Sequence, residues 1–169
     1  GGCWCMWWRL PRSEYERSRG ETNRGSFRKL VRSDEPPGLI AYAAGEPAAG
    51  IALAPREAYA ALERSRTLAR VDARPVWSVV CFFVARPFRR RGLSVKLLEA
   101  AADYARKRGA RILEGYPVEP KTGRMPDAFA WTGTAAAFRK AGFAEAARRS
   151  ATRPIMRRVL RGAPPRPRE

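Results

Sequence analysis

One short stretch of the chain places three consecutive arginines and a glycine between an apolar segment and an amphipathic one. The apolar run 76–84 leads into residues 89–92, Arg-Arg-Arg-Gly, and a helical pattern starts at Leu93. The first amides of a helix have no internal partner, and the helix dipole adds positive charge there. Gly92 would let the backbone approach a ligand closely. The pattern therefore predicts a diphosphate site, in which each charge-assisted hydrogen bond contributes about 1.5–3 kcal/mol.

A plainer interpretation of the same stretch stays open. The arginines could form a solvated basic turn, with Gly92 present only because the bend is tight. Two other phosphate sites are disfavoured, because the sequence has no G-x-x-x-x-G-K-[ST] loop and no G-x-G-x-x-G motif with a downstream acidic residue. Nucleotide hydrolysis and nicotinamide binding are therefore disfavoured.

The residue types also exclude several kinds of catalytic site. The sequence contains no histidine, which removes Ser–His and Cys–His nucleophile systems and the commonest general base. Cys3, Cys5 and Cys81 form no Cys-x-x-Cys pair, so we expect no metal site. Three cysteines also make a poor disulfide framework, which favours a reducing, cytoplasmic location.

A strand, a helix and a second strand must position the arginine turn. Hydrophobic patterning predicts a central strand over 76–84, buried on both faces, a helix over 93–108 that Gly109 ends, and a strand over 111–118. A right-handed crossover would make these two strands parallel. The other predicted elements are a hairpin of strands 38–44 and 48–54, helices over 23–32, 55–65 and 132–141, and strands over 143–149 and 154–160.

The domain organisation is simple. Residues 1–160 are expected to form one domain, and the basic, proline-rich residues 161–169 a disordered tail. No run of 18 apolar residues occurs, so no membrane span is expected.

Two motifs resemble signatures of the GNAT superfamily of N-acetyltransferases. Residues 89–94, Arg-Arg-Arg-Gly-Leu-Ser, resemble its acyl-CoA signature [Q/R]-x-x-G-x-[G/A], with Ser94 at the last position. Residues 138–143, from Phe138 to Phe143, resemble the second signature, Y-x-x-x-G-F. The resemblance covers residues 38–160. The family's usual first strand is not recognisable, so we expect it to be missing from this chain.

The resemblance implies an α/β (α+β) fold: a mixed central sheet, flanked by helices, with splayed central strands. It implies acetyl-CoA as co-substrate and no metal. Backbone amides from Arg90 to Val95 would hold the pyrophosphate, and an amide near Val84 would polarise the thioester carbonyl. Thr132 would be either a CoA contact or a helix N-cap. The cofactor-binding residues expected in total are Phe82, Phe83, Val84, Arg89, Arg90, Arg91, Gly92, Leu93, Ser94, Val95 and Thr132.

The chain departs from the family at the acid and base positions. Phe138 occupies the place of a tyrosine that donates a proton to the leaving thiolate, and Trp131 replaces a common asparagine. We expect Glu114 as base and Tyr116 as acid, since they alternate onto one face of a strand. The alternative for Glu114 is an ion pair with an arginine. Glu114, Glu119 and Asp127 together suggest an acidic group that favours a cationic acceptor.

The function indicated is transfer of an acetyl group from acetyl-CoA to a primary amine by direct attack. The acceptor would be a small molecule or a peptide, and a homodimer is an option because dimers are common among relatives. One alternative is a GNAT-like protein that binds acyl-CoA without turnover. Another is a basic nucleic-acid-binding module, since the net charge is +18. That module is disfavoured, because arginine-rich, lysine-poor composition also follows from G/C-rich codons.

Overall fold

The structure, a computed structural model, describes residues 3–120 and 127–160, except for the side chains of 127–129. Its centre is a six-stranded mixed sheet in the order β1-β2-β3-β4-β6-β5. The strands are β1 Gly38–Ala43, β2 Glu46–Pro55, β3 Trp77–Val84, β4 Ile112–Gly115, β5 Ala144–Arg148 and β6 Pro154–Val159. Only the β3–β4 pair is parallel among these strands, so the predicted mixed sheet is confirmed.

Five α-helices accompany these strands in the part of the chain that is described. They are α1 Arg12–Arg17, α2 Glu21–Val31, α3 Ala60–Glu63, α4 Leu93–Lys107 and α5 Ala135–Lys140. Three 3₁₀ segments add to them, at Arg56–Ala58, Arg86–Phe88 and Asp127–Thr132. The helix predicted over 93–108 is confirmed as α4, and Gly109 ends it at φ 85°. Helix α1 was not predicted.

The helix predicted over 55–65 is wrong as a continuous element. Tyr59 interrupts it at φ −117°, leaving one 3₁₀ turn and the single turn α3. The cause is Arg56, whose buried side chain donates hydrogen bonds to the carbonyls of Leu62 and Leu68. The chain must curl around this guanidinium to present both carbonyls, which a straight helix would not do.

Strands β3 and β4 pair over only three residues and then separate. Trp77, Ser78 and Val79 pair with Leu113, Glu114 and Gly115, and β4 ends there while β3 continues to Val84. A bulge lies at the same point of β3, because Val79 and Cys81 pair with adjacent residues of β2, so that Val80 has no pairing partner in β2. Bulges bend a strand and increase its twist. The predicted splay of the central strands is therefore confirmed, and residues 80–84 have no partner in β4.

The two faces of the sheet carry separate apolar cores. Helix α4 buries Leu97, Leu98, Ala101, Ala102 and Ala105 against one face, as its pattern predicts. On the opposite face, Trp8 from the N-terminal segment packs with Tyr59, Leu62 and Val80. Burial of β3 on both faces was predicted, and this is wrong at Phe83, which is 66% exposed on the strand's free portion.

The tail 161–169 and most of the loop 120–126 lie outside the described residues. Within the described ranges, no helix is long and apolar enough to cross a membrane. In the same ranges, no group of three or more Cys, Asp or Glu side chains is arranged to hold a metal ion.

The fork of the sheet is the point where β3 and β4 separate, just after the pair Val79–Gly115. It leads to a prediction about Gly115. A Cβ on Gly115 would lie 2.1 Å from Cε1 of the fully buried Phe138. We expect Gly115→Ala to lower the free energy of unfolding by about 1–3 kcal/mol, because the ring has no space to retreat. Urea denaturation measures this.

The matched control is Gly50→Ala in β2, where the nearest atom to the new Cβ is a carbonyl oxygen at 3.5 Å. This control substitution should change the free energy of unfolding by no more than about 0.5 kcal/mol. Equal stability of the two variants would contradict the packing described for Phe138.

Candidate functional site

A groove of about 370 Å³ opens where β3 separates from β4. One wall is the free part of β3, at Phe82, Phe83 and Val84, and the other is the segment 130–134. The basic turn after β3 closes one end, with Arg89 and Arg90 lining it. The groove therefore joins an unpaired strand edge to a positively charged end.

The basic turn contains two residues in left-handed backbone conformations and leads directly into α4. Arg90 and Gly92 both adopt left-handed conformations, at φ 61° and 76°. The amides of Val95 and Lys96 donate to the Gly92 carbonyl at 3.0 and 3.3 Å, closing the first turn of α4. The amides of Leu93 and Ser94 precede this closure, so helix geometry supplies no acceptor for them. Both residues line the groove.

Arg89 stabilises the junction between strand and turn. Its Nε donates to the carbonyl oxygen of Val84 at 3.1 Å. The guanidinium of Arg91 instead lies over the Phe88 ring, 5.7 Å from the centroid. The three consecutive arginines therefore have different surroundings, which their sequence alone does not reveal.

Most of the residues expected to bind a cofactor lie along the groove. Eight of them line it: Phe82, Phe83, Val84, Arg89, Arg90, Gly92, Leu93 and Ser94. Arg91, Val95 and Thr132 are not among the lining residues. Five others contribute instead: Phe88, Ala130, Trp131, Gly133 and Thr134.

The N-cap of α5 is Thr134 and not Thr132. Thr134 caps α5, since its Oγ1 accepts from the Ala137 amide at 3.3 Å. Thr132 is buried, and its Oγ1 accepts a hydrogen bond from Arg153 at 2.9 Å. The N-cap alternative for Thr132 is therefore wrong. A threonine at 132 and at 134 left the sequence ambiguous about the helix start.

Phe138 lies beneath the groove rather than in it. Its fully buried ring packs edge-on against Phe82 and Phe143, with centroids 6.0 and 4.9 Å away. Gly115 and Gly133 flank the ring, and a Cβ on either would contact it at under 3 Å. A phenylalanine therefore suits this position as a filler of the fork.

Glu114 and Tyr116 are brought together, but away from the groove. The Tyr116 hydroxyl donates to Glu114 Oε1 at 2.6 Å, and both side chains are fully buried. The same hydroxyl accepts from Arg56 at 2.7 Å and shares a 2.8 Å hydrogen bond with Ser78. Burial and the charge of Glu114 raise the pKa of Tyr116 well above its usual value. Neither residue lines the groove.

Two arginines neutralise Glu114. Arg56 Nη1 contacts Oε1 at 3.1 Å and Arg157 Nε contacts Oε2 at 2.6 Å. Arg157 also pairs with Asp72, whose pKa is held well below its usual value by Arg74 and Arg157. The ion-pair alternative for Glu114 is therefore the one observed. Arg56 lies 58 residues away in sequence, so no local spacing could have revealed it.

The acidic group expected from Glu114, Glu119 and Asp127 is not present as a free cluster. Glu119 pairs with Arg139 and Arg148, which lower its pKa. Glu114 is buried among its own arginines, and the Asp127 side chain lies outside the described residues. The expectation of a cationic acceptor therefore has no support from Glu114 and Glu119.

Comparison with known proteins identifies a family. A sequence model described as the acetyltransferase (GNAT) family matches residues 4–120. No curated protein matches the chain. The match includes the N-terminal segment, both strands of the fork and the basic turn.

Solved structures share the fold at low sequence identity. Ard1 from Thermoplasma volcanium is 16% identical, with 93% of this chain and 90% of that one covered at a TM-score of 0.50. AAC(6′)-Ib in complex with paromomycin and acetyl-CoA is also 16% identical; the alignment covers 92% of this chain and 86% of that one, with a TM-score of 0.51. An aminoglycoside 6′-N-acetyltransferase complexed with coenzyme A is 11% identical; the alignment covers 95% of this chain and 92% of that one, with a TM-score of 0.51.

The buried ion pairs lead to a prediction about stability. Glu114→Gln would leave Arg56 and Arg157 buried with less compensating charge, so we expect a loss of about 3–5 kcal/mol in the free energy of unfolding. Glu21→Gln is the control, because its pair with Arg24 is solvent-exposed at 3.4 Å and should be worth under about 0.5 kcal/mol. Urea denaturation compares them, and a Glu114 variant as stable as the control would contradict the structural role.

Proposed function

Because the chain belongs to the acetyltransferase (GNAT) family, we propose that it transfers an acetyl group from acetyl-CoA to a primary amine by direct attack. The observation that carries the proposal is the groove, which joins a free strand edge to a basic helix start. Two structurally similar proteins are described as complexes with acetyl-CoA or coenzyme A. No metal takes part in the proposed reaction.

The basic turn is proposed to hold the pyrophosphate. The amides of Leu93 and Ser94 would donate to its oxygens, and Arg89 and Arg90 would add full positive charges. Gly92 allows the required left-handed backbone, at φ 76°. These groups fit a diphosphate because the helix start presents several donors to one anion.

The free edge of β3 is proposed to bind the pantetheine arm. Residues 80–84 have no partner in β4, so their outward amides and carbonyls can pair with an amide-bearing chain as a strand would. An amide on this edge would polarise the thioester carbonyl and stabilise the oxyanion that forms on attack.

Glu114 and Tyr116 are proposed to position the fork rather than to exchange protons with substrate. Both are fully buried and hydrogen-bonded, and no carboxylate lies among the groove-lining side chains that the structure describes. The acceptor amine would then enter already deprotonated, and water would protonate the leaving thiolate. Catalysis would come from proximity and from the oxyanion contact.

The acceptor is proposed to be a small-molecule or peptide amine. Two similar folds are described as an aminoglycoside 6′-N-acetyltransferase and as a complex with paromomycin. A cytoplasmic location goes with the proposal, because the three cysteines are free and thiols persist in reducing compartments.

Charge reversal in the turn tests cofactor binding. We expect Arg90→Glu to weaken acetyl-CoA binding at least tenfold by calorimetry, since a charge-assisted bond is worth about 1.5–3 kcal/mol. Lys107→Glu carries the same charge change at the far end of α4, roughly 20 Å away and beyond the Debye length of about 8 Å. The Lys107→Glu variant should bind acetyl-CoA with the same affinity as the unmodified chain. Equal weakening in both variants, or no binding by the unmodified chain, would refute the site.

The pH dependence of the reaction tests the absence of an internal base. Thiol release over an amine panel first identifies accepted amines, and no release from any amine would favour an acyl-CoA-binding protein without turnover. For an α-amine, kcat/KM should rise with pH and level off near 8, whereas for a lysine-type amine it should rise past about 9. A shared plateau at pH 6–7 would instead reveal a base on the protein.

A further inference from the structure

Exposed apolar side chains form a row across three strands, on the face of the sheet opposite α4. Ile40 of β1 pairs with Gly50 of β2, and Gly50 pairs with Phe83 of β3, so the three positions face the same side. Leu39 and Phe82, one position away, pack in the core beneath α4, which places the row on the other face. Ile40 is 62% exposed and Phe83 is 66% exposed. The described part of the chain therefore leaves most of both side chains in water.

Gly50 leaves a gap between these two side chains. A Cβ built on Gly50 would have one heavy atom within 4 Å, the carbonyl oxygen of Leu39 at 3.5 Å. Because Ile40 and Phe83 lie two strands apart, their backbones are separated by about 10 Å. Ile40, Gly50 and Phe83 thus form a shallow apolar depression with a backbone floor, which we call the Gly50 slot. Its open floor can accept an alkyl chain or a ring.

The Gly50 slot is continuous with the groove at the fork. Phe83 belongs to both, since it also lines the groove. Trp131 lines the groove from the other wall and packs against the apolar cluster of Trp8 and Tyr59, on the same face as the slot. The groove therefore reaches this face between two aromatic side chains. A molecule that enters the groove from this face contacts Phe83 and Trp131.

The charges around the slot disfavour a polycationic occupant. Strands β1 and β3 contain no acidic residue, and β2 contains only Glu46, at its start beside the hairpin turn. The charged side chains that line the groove, within the described residues, are those of Arg89 and Arg90. Several ammonium groups would lose hydration here and meet like charges instead of carboxylates. An apolar group has no such cost and gains by leaving water.

We propose that the acceptor is a primary amine with an extended apolar group, which lies in the Gly50 slot while the amine reaches into the groove. The inference rests on the proposed acetyl transfer and names its substrate class. The amine nitrogen attacks the thioester carbonyl carbon, the C–S bond breaks, and the thiolate takes up the proton that nitrogen loses. The products are the N-acetylated amine and coenzyme A. The slot spans about 10 Å, roughly the length of an eight-carbon chain.

A series of linear alkylamines from butylamine to octylamine tests the substrate class. These amines have nearly the same pKa, so chain length isolates the apolar contact. We expect kcat/KM with acetyl-CoA to rise about two- to fourfold for each added methylene, as expected when a methylene leaves water. Spermidine and paromomycin should react at least tenfold less efficiently than octylamine. Transfer that ignores chain length, or that prefers either polycation to octylamine, would overturn the proposal.

Two variants test the position of the apolar group. Gly50→Val fills the slot with a side chain that suits a strand. It should lower kcat/KM for octylamine at least tenfold, yet leave butylamine within about twofold and acetyl-CoA affinity unchanged, because butylamine is too short to reach Gly50. Ile40→Glu should also lower kcat/KM for octylamine. If Gly50→Val fails to fold in urea denaturation, Ile40→Glu carries the test.

The matched control for Ile40→Glu is Val159→Glu. Val159 is also an exposed β-branched residue on a strand, at 71%, and it pairs with Ile112 at the end of β4 away from the fork. This variant carries the same charge change and should keep the kinetics of the unmodified chain. Equal losses in the two glutamate variants would contradict the slot.

A binding measurement separates failure of the slot from failure of acetyl transfer. Saturation-transfer NMR detects octylamine on the full chain in the presence of coenzyme A, without turnover. If no amine releases thiol but octylamine binds to the unmodified chain and not to Gly50→Val, the slot stands and the proposed transfer fails. If transfer occurs without dependence on chain length, the transfer stands and the slot fails. Absence of octylamine binding to the unmodified chain also overturns the slot.

Discussion

The ring of Phe138 fills the fork in which β3 and β4 separate. It contacts Phe82 on the free part of β3, and it occupies the space beside Gly115, the last residue of β4. Because interiors are packed as densely as crystals, a fully buried ring at this point prevents the two strands from continuing side by side. The groove, its free strand edge and its basic end all depend on this separation.

The two ends of the fork use charge differently. At the open end, the arginine turn is exposed, and Arg89 and Arg90 line the groove. At the paired end, Arg56, Arg157 and Glu114 compensate one another out of water. Buried charges are retained only when they are paired and hydrogen-bonded. Both oxygens of the Glu114 carboxylate are thereby occupied by arginines.

Backbone groups consequently carry most of the proposed chemistry. In the proposed mechanism, the amides at the helix start would bind the pyrophosphate, and the edge of β3 that is unpaired with β4 would bind the pantetheine arm. Side chains can vary widely around such a site, provided that the strand still bends at Val80 and the turn still reaches Gly92.

The sequence by itself determined the local elements and the basic turn. Alternating and helical patterns located every strand and helix α4 to within a few residues, because side-chain periodicity follows directly from backbone geometry. The arginines and Gly92 likewise marked the helix start. Short α1 was missed. Residues 55–65 were predicted as one helix because the apolar pattern does not show the hydrogen bonds that the buried Arg56 side chain makes with the carbonyls of Leu62 and Leu68.

Only the tertiary structure decided which polar groups remain available. Glu114 and Tyr116 lie on the same side of the chain, as their spacing predicts. However, Arg56 and Arg157, which are 58 and 43 positions from Glu114 in the sequence, form hydrogen bonds with its carboxylate. A sequence pattern states what a side chain can do, whereas long-range packing decides whether solvent or substrate can reach it. That is why the turn and the start of α4 were predictable from the sequence, whereas the ion pairs of Glu114 were not.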